Sequence, residues 1–293
     1  MQEFDPQILK SLYRSPSDSH KGQNGKLLLI GGSHLFHAAS LWSLGIASRI
    51  VDMVFYASVP ENNEIVKEAK KEFRDGIVVP RQDLENYVAE SDCILIGPGM
   101  VRTEKPLRPT EDYQIQSLTG LDKIENEGIQ TYYLTKYLLE KYPDKKWVID
   151  AGALQMMDPV WLKKLPHVIV TPHQQEFTRV FGVAATPRAV EEKAMEYSAV
   201  ILLKGEEDTV CSPQVCVRVT GGNAGMTKGG TGDVLAGLVA ALACKNEMLL
   251  AAQAGSYFNK KAGDTLFAKV GPFFNSSDLV NEIPFVMKKI LFG

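Results

Sequence analysis

The sequence has no tract of basic residues, no CxxC pair and no apolar run of membrane-spanning length. Each absence closes a class of function. With a formal net charge of -3 and no basic patch, nucleic acid and anionic membrane surfaces have no electrostatic hold on the chain. Cys93, Cys211, Cys216 and Cys244 are scattered, without the Cys/His spacing of a metal site, and read as buried free thiols of a reducing compartment. The longest apolar stretch, Val234 to Cys244, falls well short of the ~20 residues a membrane helix needs. The opening MQEFDPQILKSLYRS carries early acids and no apolar centre, so neither a signal nor a transit peptide is expected. A soluble, cytoplasmic protein is the expectation.

What is present is an ordinary globular composition, 45% hydrophobic and 23% charged over 293 residues, enough for a sizeable core. Short β-rich runs alternate with helix-period segments. KLLLIGG (26–32), DMVFYAS (52–58), DGIVV (75–79), CILIGPG (93–99), KWVIDAG (146–152), HVIVTPH (167–173) and AVILLKG (199–205) read as strands. They are apolar throughout rather than alternating, which suits strands covered on both faces. An α/β fold follows: a mostly parallel sheet between two helical layers, in one domain over 1–293. DTVCSPQVCVRV (208–219) reads as an antiparallel hairpin at the sheet edge around Ser-Pro-Gln. Two long helices (231–245 and 248–262) and a final helix follow, with Ser276 or Ser277 as N-cap of the last. Residues 102–129 are more polar and read as an insertion with partial helical content.

Glycines and polar residues gather where strands end, at Gly31–Ser33, Gly97–Gly99, Asp150–Gly152, Thr171–His173 and Lys204–Gly205. In open α/β sheets ligands bind beyond the carboxyl ends of the strands, so one shared crevice is predicted. The segment GGNAGMTKGGTGDVLAGLVAAL (221–242) sets six glycines ahead of a helix and an aspartate at its entrance. Glycine lets backbone N–H groups approach a ligand, and a helix start offers unpaired donors and a positive dipole end. Gly229, Gly230, Thr231 and Gly232 therefore read as an anion hole beside Asp233. A carboxylate next to a phosphate is unfavourable unless it has a task, and taking the proton of an attacking hydroxyl is such a task. The alternative is that Asp233 only complements the helix dipole. The segment is neither a Walker A loop nor a dinucleotide fingerprint, since its glycines come late, after the hairpin.

A late glycine-rich anion hole ending in aspartate resembles the ribokinase superfamily, and NAGMTKGGTGDVLAGLVAALAC resembles the signature of the ADP/ATP-dependent NAD(P)H-hydrate dehydratases within it. GKLLLIGGSHLFHAAS, ILIGPG, VIDAGAL, VTPHQQEF, ILLKG and FNSSDLVNEIP resemble the same family in the same order, from about Gly25 onward. The resemblance implies a ribokinase-like three-layer α/β/α fold. It also implies phosphorylation of the ring hydroxyl of NADHX or NADPHX by ATP or ADP, then loss of phosphate to return NADH or NADPH. By the same resemblance Asp233 is the base, and Gly230, Thr231 and Gly232 stabilise the transferring phosphoryl group. Lys204, Gly205, Glu206, Glu207, Asp208 and Gly232 line the nucleotide site. Ala39, Gly99, His173 and Asp233 contact the hydrated cofactor, and Asn223 faces both ligands. Mg²⁺ accompanies the nucleotide, held by phosphate and water rather than by a protein cage. A homo-oligomer is implied, acting beside a separate NAD(P)H-hydrate epimerase, for which the first ~25 residues are too short.

The chain departs from the family pattern at Gly152, Gln175, Ala224 and Lys228, at Phe36 and Ala38, and in a loop one residue longer after Lys204. Gly152 bears on the metal environment, and Lys228 offers a cation near the phosphates. Two rival readings stand beside the dehydratase. One is a superfamily kinase of a small alcohol such as a vitamin precursor, which would stop at the phosphorylated product. The other is a nucleotide sensor without turnover, for which Asp233 has no use.

Overall fold

The computed structural model describes residues 1–103, 115 and 117–293. Its strands are β1 (Gln2–Glu3), β2 (Lys26–Ile30), β3 (Met53–Ala57), β4 (Ile77–Val78), β5 (Cys93–Ile96), β6 (Lys146–Ile149), β7 (Val168–Val170), β8 (Val200–Leu203), β9 (Asp208–Cys211) and β10 (Cys216–Val219). Its helices are α1 (Ala38–Ala47), α2 (Pro60–Ala69), α3 (Leu84–Glu90), α4 (Glu127–Lys141), α5 (Ala151–Met156), α6 (Gln174–Phe181), α7 (Pro187–Tyr197), α8 (Thr231–Ala243), α9 (Met248–Val270) and α10 (Ser276–Phe292). Among the described residues the strands form one sheet in the order β1-β10-β9-β8-β7-β6-β5-β2-β3-β4. From β8 to β4 every pairing is parallel, and the order reverses between β2 and β5.

The apolar strands are covered on both faces, as their composition requires. Along β2, Leu27 and Leu29 join the core under α1, α8, α9 and α10, while Leu28 and Ile30 join the core under α3, α4, α6 and α7. On β5, Cys93 and Leu95 face the first core and Ile94 and Ile96 the second. A period of two thus sends alternate side chains into two separate apolar layers.

Several expectations need correction. The hairpin β9–β10 is antiparallel as read, but β1 pairs with β10 and takes the sheet edge. The hairpin register sets Cys211 opposite Cys216, with Cα atoms 4.0 Å apart, and the two form a disulfide. Only Cys93 and Cys244 are free buried thiols. The cap of α10 is Asn275, not Ser276 or Ser277: its side chain accepts from the N–H groups of Ser277 and Asp278, and Asp278 accepts from Asn275 N–H in return. Of the segment read as an insertion, 104–114 and 116 lie outside the described residues. Its remainder holds a 3₁₀ turn at Leu118–Lys123 and the start of α4.

Candidate active site

Asp150, His173 and Lys204 each follow the carboxyl end of a strand, β6, β7 and β8, and parallel pairing brings those ends side by side. Lys204 Nζ lies 2.9 Å from Asp150 Oδ1 and 3.8 Å from Glu176 Oε2. Asp150 is 1% exposed and also accepts from Thr171 Oγ1 at 2.8 Å. Glu176 is 4% exposed and accepts from Gln155 Nε2 at 2.9 Å. His173 caps α6. Its Nδ1 accepts from the N–H groups of Gln175 and Glu176, and Glu176 Oε2 accepts from His173 N–H at 2.9 Å. A ring nitrogen that accepts two backbone donors carries no proton, so the neutral imidazole holds its proton on Nε2.

Facing these strand ends is the entrance of α8. Gly230 has φ +95°, and a Cβ there would come 2.3 Å from ring atoms of Trp42 on α1. Only glycine makes this turn. Ser276 Oγ donates to Gly229 O at 2.8 Å, and Ser43 Oγ donates to Asp233 O at 2.7 Å, so α10 and α1 brace the loop and the helix start. The Thr231 hydroxyl turns back to Met226 O at 2.7 Å and Lys228 O at 3.0 Å; it shapes the loop rather than presenting itself to a ligand. A cleft of about 640 Å³ opens here, bordered by His173, Lys204, Gly205, Thr231 and Gly232.

Asp233 stands in a field of carboxylates. Burial raises its pKa first, Asp150 raises it further, Lys204 opposes, and Glu176 adds to the rise; the result is about 7. Lys204 shifts up as well. Burial alone would lower it, and Asp150, Glu176 and Asp233 outweigh that. Lys204 thus pairs with Asp150 and Glu176, while Asp233 lies within the field of all three, and a carboxylate of this kind can exchange a proton near neutral pH.

The other residues named from the sequence divide into groups. Asn223 borders the cleft, its Oδ1 accepting from Gly225 N–H at 3.0 Å. Gly205, Glu206 and Asp208 border it too, but Asp208 is committed to the protein. Its Oδ1 accepts from Gly205 N–H at 3.0 Å, its Oδ2 accepts from Ser256 Oγ at 2.7 Å, and Lys260 Nζ is 3.3 Å away. Glu207 turns out of the cleft to Arg218, at 3.3 Å. Ala39 and Gly99 meet each other at the β2/β5 switch point: a Cβ on Gly99 would lie 3.1 Å from Ala39 Cβ. They do not border the cleft around Lys204. Lys228 donates to Pro272 O and lies over the Phe274 ring, a structural engagement rather than a free cation. At Gly152 a Cβ would come 2.1 Å from Met100 O, so this close approach leaves no room for a side chain. Asp150 and Glu176 were not singled out as site residues from sequence. The only signals were an acid at a strand end and the His-x-x-Glu spacing of a capping box.

The model of the NAD(P)H-hydrate dehydratase family matches residues 27–285. The chain is 34% identical over 289 residues to an ADP-dependent (S)-NAD(P)H-hydrate dehydratase from Nitrosopumilus maritimus, covering 96% of this chain and 94% of that one. It is 32% identical to a bifunctional NAD(P)H-hydrate repair enzyme from Methanocaldococcus jannaschii, covering 96% of this chain and 51% of that one. The chain thus spans about half the length of the bifunctional relatives it matches. Among solved structures it superposes with TM-score 0.76 and 22% identity on an ADP/ATP-dependent NAD(P)H-hydrate dehydratase from Bacillus subtilis, covering 99% of this chain and 98% of that one. The fold is the expected ribokinase-like three-layer α/β/α arrangement.

Proposed function

From its membership of the NAD(P)H-hydrate dehydratase family, to which the chain belongs, we propose that it regenerates NADH or NADPH from the hydrated cofactor at the expense of a nucleotide. What supports the reading is the placement of Asp233 in the first turn of α8, beside the Gly230 turn, where burial and Asp150 raise its pKa to about 7. Asp233 takes the proton of the ring hydroxyl as that oxygen attacks the terminal phosphoryl group. Backbone N–H groups of the Gly230–Gly232 turn stabilise the charge on the transferring group. Phosphate then departs as the ring nitrogen pushes electrons toward the carbon it leaves, and loss of a proton from the adjacent ring carbon restores the double bond of NADH or NADPH. His173 offers its Nε2 proton as a donor to the hydrated cofactor, with Gly99 and Ala39 shaping the more distant part of that site.

ADP as donor and the S epimer as substrate are supported by the activity after which the Nitrosopumilus maritimus relative is named. The Bacillus subtilis protein was co-crystallised with ATP and Mg²⁺. Among the described residues no group of three or more His, Cys, Asp or Glu side chains is set to hold a metal. Mg²⁺ would be held mainly by the nucleotide's phosphate oxygens and water, and would offset their charge near Asp150, Glu176 and Asp233. No described helix is long and apolar enough to cross a membrane. We extend the proposal to one domain over 1–293, a homo-oligomer and cooperation with an epimerase. The last is supported by the bifunctional repair enzymes among its relatives.

The test is stoichiometry. One inorganic phosphate should appear for each NADH regenerated, whereas a kinase of another alcohol would accumulate a phosphorylated product and release none. Two further outcomes follow from the site. The unprotonated form of Asp233 is the base, so kcat/KM should rise with pH through about 7 and then level off. A profile already flat from pH 5 would remove Asp233 from that role. Gly230→Ala forces a Cβ against Trp42 at φ +95° and displaces the turn. It should cost on the order of 10²-fold in kcat, the scale of a lost oxyanion donor, while the melting temperature reports the strain separately.

A further inference from the structure

Glu176 divides its two carboxylate oxygens between different partners. Oε2 accepts from His173 N–H at 2.9 Å and lies 3.8 Å from Lys204 Nζ. Oε1 accepts from Gln155 Nε2 at 2.9 Å, and Gln155 Oε1 in turn accepts from the Arg102 guanidinium. Gln155 is 8% exposed, so a buried amide bridges a cation and an anion. Its sense is fixed. Arginine has only donors and an ionised carboxylate only acceptors, so the oxygen must face Arg102 and the nitrogen Glu176. The backbone that carries Arg102 is held from three sides. A Cβ on Gly128, at the start of α4, would come 2.5 Å from Thr103 N, and Arg179 on α6 donates to Thr103 O at 3.2 Å. Gly152 on α5 admits Met100 O where a side chain would not fit, and it is a departure from the family pattern.

Charge gives the bridge a purpose. Asp150, from the end of β6, and Glu176, from α6, both act on Asp233, and Lys204, from the end of β8, opposes them. His173, with Nδ1 accepting two backbone donors, is neutral and adds no charge. We propose that Arg102, acting through Gln155, is the second cation of this acid cluster, holding Glu176 toward His173 and Lys204 and limiting the negative potential at Asp233. Neither Arg102 nor Gln155 borders the cleft around Lys204, so both are positioning residues. The inference takes from the dehydratase reading that ionised Asp233 is the form that acts, and extends that site to the segment following β5.

The experiment follows two quantities against pH: kcat/KM for nucleotide-dependent recovery of NADH, and the melting temperature without ligands. It compares the native protein with Arg102→Met, Arg102→Lys, Gln155→Leu and the double variant Arg102→Met/Gln155→Leu. Arg102→Met removes a positive charge, so Asp233 keeps its proton to higher pH. The rise in kcat/KM and the upper end of the fall in melting temperature should both move up by about 0.5 pH unit, a modest shift because Arg102 is exposed and screened. Gln155→Leu releases Arg102 into solvent and should give the same shift, and the double variant no more than either. Arg102→Lys keeps the charge and should keep the native midpoints. A bridge that only braces the fold would lower the melting temperature at every pH and move neither midpoint, which overturns the inference. A lysine variant shifted as far as the methionine one overturns it too. The melting profile needs no turnover, so an inactive protein would sink the dehydratase reading while Arg102 is still tested.

Discussion

Asp233→Asn should lower nucleotide-dependent recovery of NADH by about 10²- to 10⁴-fold, the usual contribution of a general base, and leave nucleotide affinity near native. The amide keeps the size of the side chain and its place at the α8 entrance but cannot take the hydroxyl proton. The same variant should be more stable than the native protein at pH 8. Burial and Asp150 raise the folded-state pKa of Asp233 to about 7, far above an ordinary carboxyl. Between about pH 4 and 7 the folded state keeps a proton that the unfolded chain has lost, so native stability falls as pH rises across that window and stays low above it. Asparagine does not titrate, and the fall should be smaller in the variant. Melting temperature against pH for the two proteins checks this. A parallel fall in both would mean that Asp233 is not the group that stores the unfavourable charge.

Lys204→Met has the second large effect. It leaves Asp150, 1% exposed, beside Glu176 and Asp233 without the lysine that offsets their charge. Removing one partner of a buried ion pair costs about 3–5 kcal/mol, which in a domain of this size lowers the melting temperature by on the order of 10 °C. Lys204 also opposes the rise in the Asp233 pKa, so residual activity should have its pH midpoint moved upward. Adding Asp150→Asn to Lys204→Met should restore part of the lost stability, because the unpaired buried charge is gone. A melting temperature unchanged by the single substitution would show that the three carboxylates are compensated in some other way.

The sheet was legible because parallel strands between two helical layers are apolar throughout, and their glycine-rich ends mark where ligands gather. The glycine turn into α8 was legible because Gly230 and its neighbours precede a helix with no competing motif. Less was visible where a role depends on convergence in space. Asp150 in VIDAG and Glu176 in TPHQQEF are single acids in unrelated segments, and only the β6–β7–β8 pairing brings both to Lys204. Glu207 and Asp208 are adjacent in sequence, yet strand β9 sends one to Arg218 and the other inward to Ser256 and Lys260. The run Asn275-Ser276-Ser277 holds three residues able to cap a helix. Ser276 is drawn away to Gly229, and Asn275 takes the cap. Gln2–Glu3 is too short to carry a strand pattern, so the true sheet edge had no signal.

The most direct measurement mixes the purified protein and Mg²⁺ with hydrated NADH and either ADP, ATP or no nucleotide, and follows the return of dihydronicotinamide absorbance. The proposed chemistry predicts recovery only when a nucleotide is present, with the more effective of the two identifying the donor. Equal recovery without nucleotide, or none with either donor, would contradict it.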